Sequence, residues 1–459
     1  MGTQYDAIVI GTGQAGPSLA SRMSDAGMRV AIIERDQVGG TCVNVGCTPT
    51  KALVASARVA HMARRAGEFG VTIDGPVRVD MGRVNERMRE ISSQSQRGLT
   101  TWLERMKNVD LIRGHARFES GNEVEVDGRR LESDRIFINV GARPFVPNVP
   151  GLETVDYLTS SDMLQLDTLP EHLVVLGGSY IGLEFAQMFR RFGSRVTVIE
   201  RGPRLIGRDD PDVSTGVREI VEAEGVHVHC NAEQISVRAH RAGLALSTVV
   251  AGGEREIVGS HLLVAVGRTP NTDTLGLDAA GVAVDERGYI SVDDELRSTA
   301  SGIWALGDCN GRGAFTHTSY NDHEIVAANL LDGGKRRVSD RIPCYGLFID
   351  PPLGRIGMTE DQARASGSNV LVGKWPMSNV GRARERSETD GFIKVLVDAD
   401  SEQILGAAIL GLSGDEVVHG LLDMMYAKAP YTVIASAVHI HPTVSELIPT
   451  TLQNLVPLE

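Results

Sequence analysis

The chain has 459 residues, which at roughly 150 per domain suggests about three domains. Hydrophobic residues make up 42% and charged ones 23%, the mix of a soluble globular protein and too apolar for a disordered one. With 46 basic and 59 acidic residues the net charge is −13, and no basic patch stands out, which argues against nucleic acid or an anionic membrane as a partner.

A buried strand pattern, Tyr5–Ile10, begins almost at once and leaves no room for a signal peptide. Asp6 stands where a myristoylation signal needs Ser or Thr, and no stretch approaches 18 uninterrupted apolar residues. The five cysteines are Cys42, Cys47, Cys230, Cys309 and Cys344, an odd and small number that fits a reducing cytoplasm better than a secreted scaffold. Glycine is abundant, 51 residues or about 11% against a usual share of roughly 7%, which points to tight turns and close backbone approaches.

An internal repeat follows. Tyr5–Ile10 leads into Gly11-Thr12-Gly13-Gln14-Ala15-Gly16, a helix-like run to about Ala26, and a second strand Arg29–Ile33 ending at Glu34. Further on, Leu173–Leu176 leads into Gly177-Gly178-Ser179-Tyr180-Ile181-Gly182, a helix to about Phe192, and a strand Val196–Ile199 ending at Glu200. First glycine to acid spans 23 positions in both copies, and last glycine to acid spans 18. Such loops let a backbone approach a pyrophosphate, the helix N-terminus offers unpaired N–H groups, and the acid accepts ribose hydroxyls. Two copies at equal offsets predict two dinucleotide-binding domains, with Gly11, Gly13, Gly16 and Glu34 in one site and Gly177, Gly182 and Glu200 in the other. Ser179 replaces the middle glycine of the second copy. Glu200 favours NADH, since an acid there repels a 2′-phosphate, although Arg201 and Arg204 leave NADPH open.

Between the copies, Thr48–Gly67 reads as a long helix with Pro49 in its first turn, residues 70–110 as mostly helical, and 112–140 as short strands. From about residue 340, Pro343, Pro351 and Pro352 punctuate the start of a third domain of alternating strands and helices. The segment Gly39–Lys51 contains Cys42 and Cys47, separated by four residues and placed just before a helix. That position favours a thiolate, with the pKa lowered from roughly 8.5 into the 3.5–7.5 range, and Lys51 adds a cation one turn on. His227-Val228-His229-Cys230 could face a metal from one strand but has no second ligand cluster, so no metal is expected. Cys309 and Cys344 read as small buried residues.

These segments, with Asn139-Val140-Gly141-Ala142-Arg143-Pro144, Val266-Gly267-Arg268-Thr269-Pro270-Asn271, Trp304–Asp308 and His439–Glu446, resemble the flavin- and pyridine-nucleotide-dependent disulfide oxidoreductases over essentially the whole chain. Dihydrolipoamide dehydrogenase, glutathione reductase and mercuric reductase belong to that family. The resemblance implies an α/β protein with two Rossmann-like domains and a C-terminal α+β dimerisation domain. Its expected boundaries are an FAD-binding domain over 1–145 and 276–340, an NAD(P)-binding domain over 146–275, and dimerisation over 341–459. It implies FAD in the first site, with Glu34 on the adenosine ribose and with Lys51, Gly141, Gly307 and Asp308 around the cofactor. It implies NAD(P)H in the second, with Gly267 near it, Tyr180 as a gate over the nicotinamide pocket, and Glu184 paired with Lys51 beside the flavin.

The resemblance also implies a mechanism. Electrons pass from nicotinamide to flavin, then to a Cys42–Cys47 disulfide, with Cys47 against the flavin and Cys42 meeting a small disulfide substrate. His441, oriented by Glu446, is the acid–base group and reaches the cysteines of the partner subunit in a homodimer; His439 is expected to be structural. The substrate stays open. Thr48-Pro49-Thr50-Lys51 is similar to mercuric reductase, whereas His441–Glu446 is similar to dihydrolipoamide dehydrogenase. No cysteine follows Cys344, so mercuric reduction is the less expected activity. The alternative of another class is a flavin-binding subunit without turnover.

Overall fold

The computed structural model describes residues 2–458. Its contacts divide the chain into two compact units, Met1–Ala52 with Arg83–Phe145 and Gly267–Arg341, and Leu53–Gly82 with Val146–Val266 and Ile342–Glu459.

In the first unit, Ala7–Ile10 is apolar on both faces and wholly buried, the pattern of a central parallel strand. It pairs with Val30–Glu34 on one side and Ile136–Ile138 on the other, and Val109–Arg113 and Ile303–Ala305 close the edges. All five strands are parallel, and in chain order they lie 3-2-1-4-5, the arrangement of a mononucleotide-binding half extended by one strand. Ile8 and Ile10 pack with Phe118 and Val124, whereas Ala7 and Val9 pack with Leu19, Met23 and Ile325. Between the third and fourth strands lies an antiparallel insert of Ala116–Phe118, Glu123–Val126 and Arg129–Glu132.

The second unit repeats this plan. His172–Leu176 is central, between Arg195–Ile199 and His261–Val264, with Val226–His229 outside, a parallel 3-2-1-4 order. An antiparallel insert, Glu233–His240, Gly243–Val250 and Gly253–Gly259, falls at the same point in the chain order. A six-stranded sheet then runs in the order Cys344–Leu347, Leu353–Gly357, Ile404–Leu410, Phe392–Asp398, Val370–Pro376, Val456–Pro457. The helix Gly414–Tyr426 lays Val418 and Leu421 on Ile356 and Ile409 of that sheet.

The second nucleotide-binding segment and the C-terminal segment, expected as separate domains, thus share one unit. Buried charge ties them: Lys394 is 1% exposed and its ammonium lies 2.9 Å from Asp210, 2.6 Å from Asp212 and 2.6 Å from Glu360. A buried cation is tolerated only when paired, so the two segments hold one another in place. Residues 53–82, expected in the first domain, fall in the second unit. There Arg58 bonds Asp350 and, at 2.6 Å, Glu388.

Two helix boundaries also differ. The helix expected over 48–67 spans Cys47–Arg64 and gives way to a 3₁₀ turn, Ala66–Phe69. Of the stretch 70–110, only Met81–Arg105 is helical, because Gly75-Pro76 interrupts the segment before it.

Candidate active site

The first nucleotide loop is shaped by what lies under it. Gly11 has φ +106°, and a Cβ there would stand 2.3 Å from the Asn139 carbonyl oxygen. A Cβ on Gly16 would stand 2.3 Å from the Gly11 carbonyl, so the helix Gly16–Asp25 begins in direct backbone contact with the loop. Its N-cap residue, Ala15, has no side-chain acceptor, which leaves N–H groups of the first turn for an anion. Glu34 accepts from the backbone N–H groups of Thr12 (3.1 Å) and Asp36 (2.9 Å) and from the Thr12 hydroxyl. A carboxylate has about four lone-pair sites, so one remains for a ribose hydroxyl.

Thr12, fully buried, carries the loop onward to the thiols. Its hydroxyl oxygen accepts from the Gly39 N–H at 3.1 Å, and Gly40 lies so close to the loop that a Cβ on it would meet the Gly13 Cα at 2.9 Å. The Asn44 amide then closes the one-turn helix Gly40–Asn44, donating to the carbonyls of Val38 (3.0 Å) and Gly40 (2.9 Å). Cys42 sits in that turn. Cys47 opens the 18-residue helix Cys47–Arg64, where the helix end favours an anion.

The two cysteines are not joined in a disulfide, and their side chains hydrogen-bond each other. That bond, then burial, push the Cys42 thiol up, while the Thr316 hydroxyl and the Lys51 ammonium pull the other way. Thr316, first residue of the helix Thr316–Leu331, places its hydroxyl 3.1 Å from the Cys47 sulfur. Cys47 is exposed and Cys42 half-buried.

Asp308 lies in the same unit, 3.4 Å from the Arg268 guanidinium, and burial raises its carboxyl above the usual range. Gly307 donates its N–H to the buried Asp322 at 2.8 Å. Gly141 and Gly267 flank the paired strands Ala142–Pro144 and Arg268–Pro270. Gly267, grouped by sequence with the nicotinamide site, belongs to this first unit, where its carbonyl accepts from the Phe145 N–H.

In the second unit the loop Gly177–Gly182 repeats the first. Gly177 has φ +114° and a Cβ there would stand 2.4 Å from the Ala265 carbonyl oxygen; one on Gly182 would stand 2.1 Å from that of Gly177. Glu200 accepts from the N–H groups of Gly178 (2.7 Å) and Gly202 (2.6 Å). The Arg204 guanidinium donates to the carbonyls of Gly207 and Asp209, both at 3.2 Å, so it is turned onto its own loop. Glu184 is buried and accepts from the Phe348 N–H at 3.1 Å; Lys51 lies in the other unit. Tyr180 opens the helix Tyr180–Phe192 and its hydroxyl lies 3.2 Å from Asp209. His441 Nδ1 lies 2.8 Å from Glu446, and its ring is 79% exposed, beside the equally open Val438 and Ile440. His439 faces the Ala437 carbonyl.

One group of acids, Asp210, Asp212 and Glu360, is close enough together to hold a cation. The cation they hold is the Lys394 ammonium.

Two family models match the chain: pyridine nucleotide-disulphide oxidoreductase over residues 5–322, and its dimerisation domain over 344–452. The chain belongs to this family. This disulphide oxidoreductase is 37% identical over 452 residues to the probable pyridine nucleotide-disulfide oxidoreductase RclA of Escherichia coli, covering 96% of this chain and 97% of RclA. It is 34% identical to the dihydrolipoyl dehydrogenase of Haloferax volcanii (98% and 96% covered) and 32% identical to the mercuric reductase of Staphylococcus aureus (95% and 81%). The solved structure of RclA, described as an HOCl-induced flavoprotein disulfide reductase, superposes with TM-score 0.88 at 36% identity, covering 98% of this chain and all of that one. A Cu(II) complex of RclA superposes with TM-score 0.89 at 35% identity, covering 98% and 99%.

The family implies FAD and a nicotinamide nucleotide, and the residues present fit both. In each loop a Cβ on the first or last glycine would run into a main-chain oxygen, each leads into a helix whose N-cap side chain makes no capping bond, and each acid keeps lone pairs for hydroxyls. Among the described residues, no helix is long and apolar enough to cross a membrane. Sequence reasoning missed Thr316, Thr12, Asp322 and the Asp209 cluster. Only Thr12 lay within a motif; Thr316 is 269 positions from its cysteine, and no local pattern marks it.

Proposed function

We propose that the chain is a homodimeric, FAD-containing NAD(P)H:disulfide reductase acting in the cytoplasm on a small disulfide through Cys42 and Cys47. The observation that carries this is the contact between the thiol segment and the first nucleotide loop, Gly40 on Gly13 and Gly39 on Thr12. When bound, FAD would take a hydride from the nicotinamide and deliver an electron pair to the Cys42–Cys47 disulfide, leaving two thiols. Cys42, as thiolate, then attacks one substrate sulfur; the S–S bond breaks, a mixed disulfide forms and the first substrate thiol leaves. Cys47 attacks the Cys42 sulfur, closing the Cys42–Cys47 disulfide and releasing the second thiol.

The raised Cys42 thiol needs a base, and a base near neutral pH suits imidazole. His441, with Nδ1 against Glu446, would take that proton at Nε2 and return it to the leaving thiolate. Its exposure beside Val438 and Ile440 supports the reading that a second copy of the chain covers it and that His441 serves the partner's thiols. Lys51 supplies a positive charge near the pair. The paired Glu200 and the turned-in Arg204 support NADH over NADPH. A second reading, reduction of a metal ion by the same thiols, is favoured by the Cu(II) complex of the similar RclA.

The test is recombinant protein with NADH or NADPH and a panel of lipoamide, glutathione disulfide, cystine, mercuric and cupric ions. A flavin bleached by nucleotide and reoxidised by one disulfide supports the first reading, and reoxidation by a metal ion alone supports the second. No bleaching by either nucleotide would leave a flavin-binding subunit without turnover. Cys42→Ser and Cys47→Ser should each keep the flavin and lose turnover. His441→Ala should slow turnover roughly 10²–10⁴-fold while flavin reduction stays fast. A heterodimer of Cys42→Ser and His441→Ala chains should regain one working site; activity no higher than in either homodimer would sink the shared site.

A further inference from the structure

Tyr180 is the first residue of the helix that follows the second nucleotide loop, so its side chain stands at the helix end a nucleotide must approach. It is tethered there. Its hydroxyl lies 3.2 Å from Asp209 Oδ2, and the Tyr345 hydroxyl lies 3.1 Å from Oδ1 of the same carboxylate. The two rings meet edge to face, 5.5 Å between centroids at 72°. The Asp209 side chain has no exposure, and behind it the equally buried Arg355 brings its Nε to 3.8 Å. A carboxylate taken wholly out of water demands partners, and at 3.8 Å the arginine is a weak one. Burial raises the Asp209 carboxyl above its usual range, and its hydrogen-bond partners are the two tyrosyl hydroxyls, which also bond each other. Burial pushes the Tyr345 phenol up to about 12, so both phenols keep the protons they donate.

The three parts come from distant places. Tyr180 belongs to the nucleotide loop, Asp209 to the segment after Glu200, and Tyr345 and Arg355 to the first two strands of the C-terminal sheet. A core tyrosine would need one hydrogen-bond partner, whereas here two phenols share one buried carboxyl beside a binding loop.

We propose that Asp209, backed by Arg355 and Tyr345, is a latch that holds Tyr180 across the second nucleotide loop and so sets the affinity for nicotinamide nucleotide. Asp209 and Tyr345 are positioning residues, acting through Tyr180. The proposal rests on the reading of this loop as the nicotinamide site. The binding-competent state is the unlatched one, so apparent affinity is lowered by the fraction of time the latch is closed. Releasing the latch tightens binding.

The experiment uses the FAD-loaded dimer and titrates NAD⁺ by calorimetry, which needs no electron transfer. Tyr180→Phe and Asp209→Asn should each lower the NAD⁺ dissociation constant roughly fivefold or more, since each removes or weakens a hydrogen bond to a charged group. The double variant should tighten binding no further than either single one. A stabilising role alone would shift the thermal midpoint and leave the dissociation constant in place. Unchanged affinity in Tyr180→Phe, or additive effects in the double variant, would overturn the latch. If Asp209→Asn fails to fold, Tyr180→Phe decides, because it leaves the buried carboxylate and its arginine intact. Wild-type protein that binds no NAD⁺ and is not bleached by NADH would overturn the nicotinamide reading as well. Bleaching with unchanged variant affinities would overturn the latch alone.

Discussion

The two nucleotide loops share their first and last glycines and the acid that follows, and the middle position, where they part, is instructive. Gly11 and Gly177 are both left-handed and rest on a carbonyl oxygen, of Asn139 and of Ala265 respectively. Gly16 and Gly182 both press on the loop's first carbonyl, and Glu34 and Glu200 both accept backbone N–H groups of the loop. The middle residue differs. Gly13 lies under Gly40, and a Cβ on it would stand 3.2 Å from the Asn139 amide. Ser179 has φ −110° and ψ −172°, an extended conformation open to any residue, and the residue beneath its loop is Ala265, which has no amide to collide with. The middle glycine is therefore not a demand of the turn. It answers to Asn139 below and to the thiol segment above, and where both are missing serine is tolerated.

Several substitutions sharpen this comparison. Gly11→Ala should have the largest effect, because it combines a left-handed backbone with a contact at 2.3 Å on a main-chain oxygen. The protein should emerge without flavin, read as the absorbance ratio after gel filtration, and lose several kcal/mol, on the order of other severe backbone substitutions. Gly177→Ala meets the same geometry in the other loop, and should keep its flavin while bleaching by NADH slows by roughly 100-fold or more. Flavin loss in Gly177→Ala would mean the two loops are not independent.

Gly13→Ser comes next. It should weaken flavin retention by roughly tenfold, about 1.4 kcal/mol, and Asn139→Ala in the same chain should restore part of it if the amide is the obstacle. Equal flavin affinity in Gly13→Ser and wild type would refute the account of the middle position. The reciprocal change, Ser179→Gly, should alter the nucleotide dissociation constant by less than about threefold, since its backbone needs no glycine and gains only some unfolded-state freedom.

The repeat, the helix at the thiol segment and the His441–Glu446 spacing were legible because they are local. A glycine that must be left-handed, a proline in a helix's first turn, and an acid at a strand's end act within a few residues of where they stand. The helix expected to Gly67 stopped at Arg64, and the one expected from residue 70 began at Met81, since helix ends depend on turns such as Gly75-Pro76 that a broad pattern averages away.

The sequence by itself determined two dinucleotide loops, a cysteine pair beside the first, and membership of a redox family, because each is written in residues close together along the chain. Only the tertiary structure decided what surrounds those residues. It set Thr316 against Cys47, put Thr12 between Glu34 and the thiol segment, and grouped Gly267 with the first unit. It also brought Tyr345 and Arg355 to Asp209. The reason is physical: a hydrogen bond between side chains hundreds of positions apart depends on the register of strands and the packing of buried charge, and neither leaves a periodic trace in the chain.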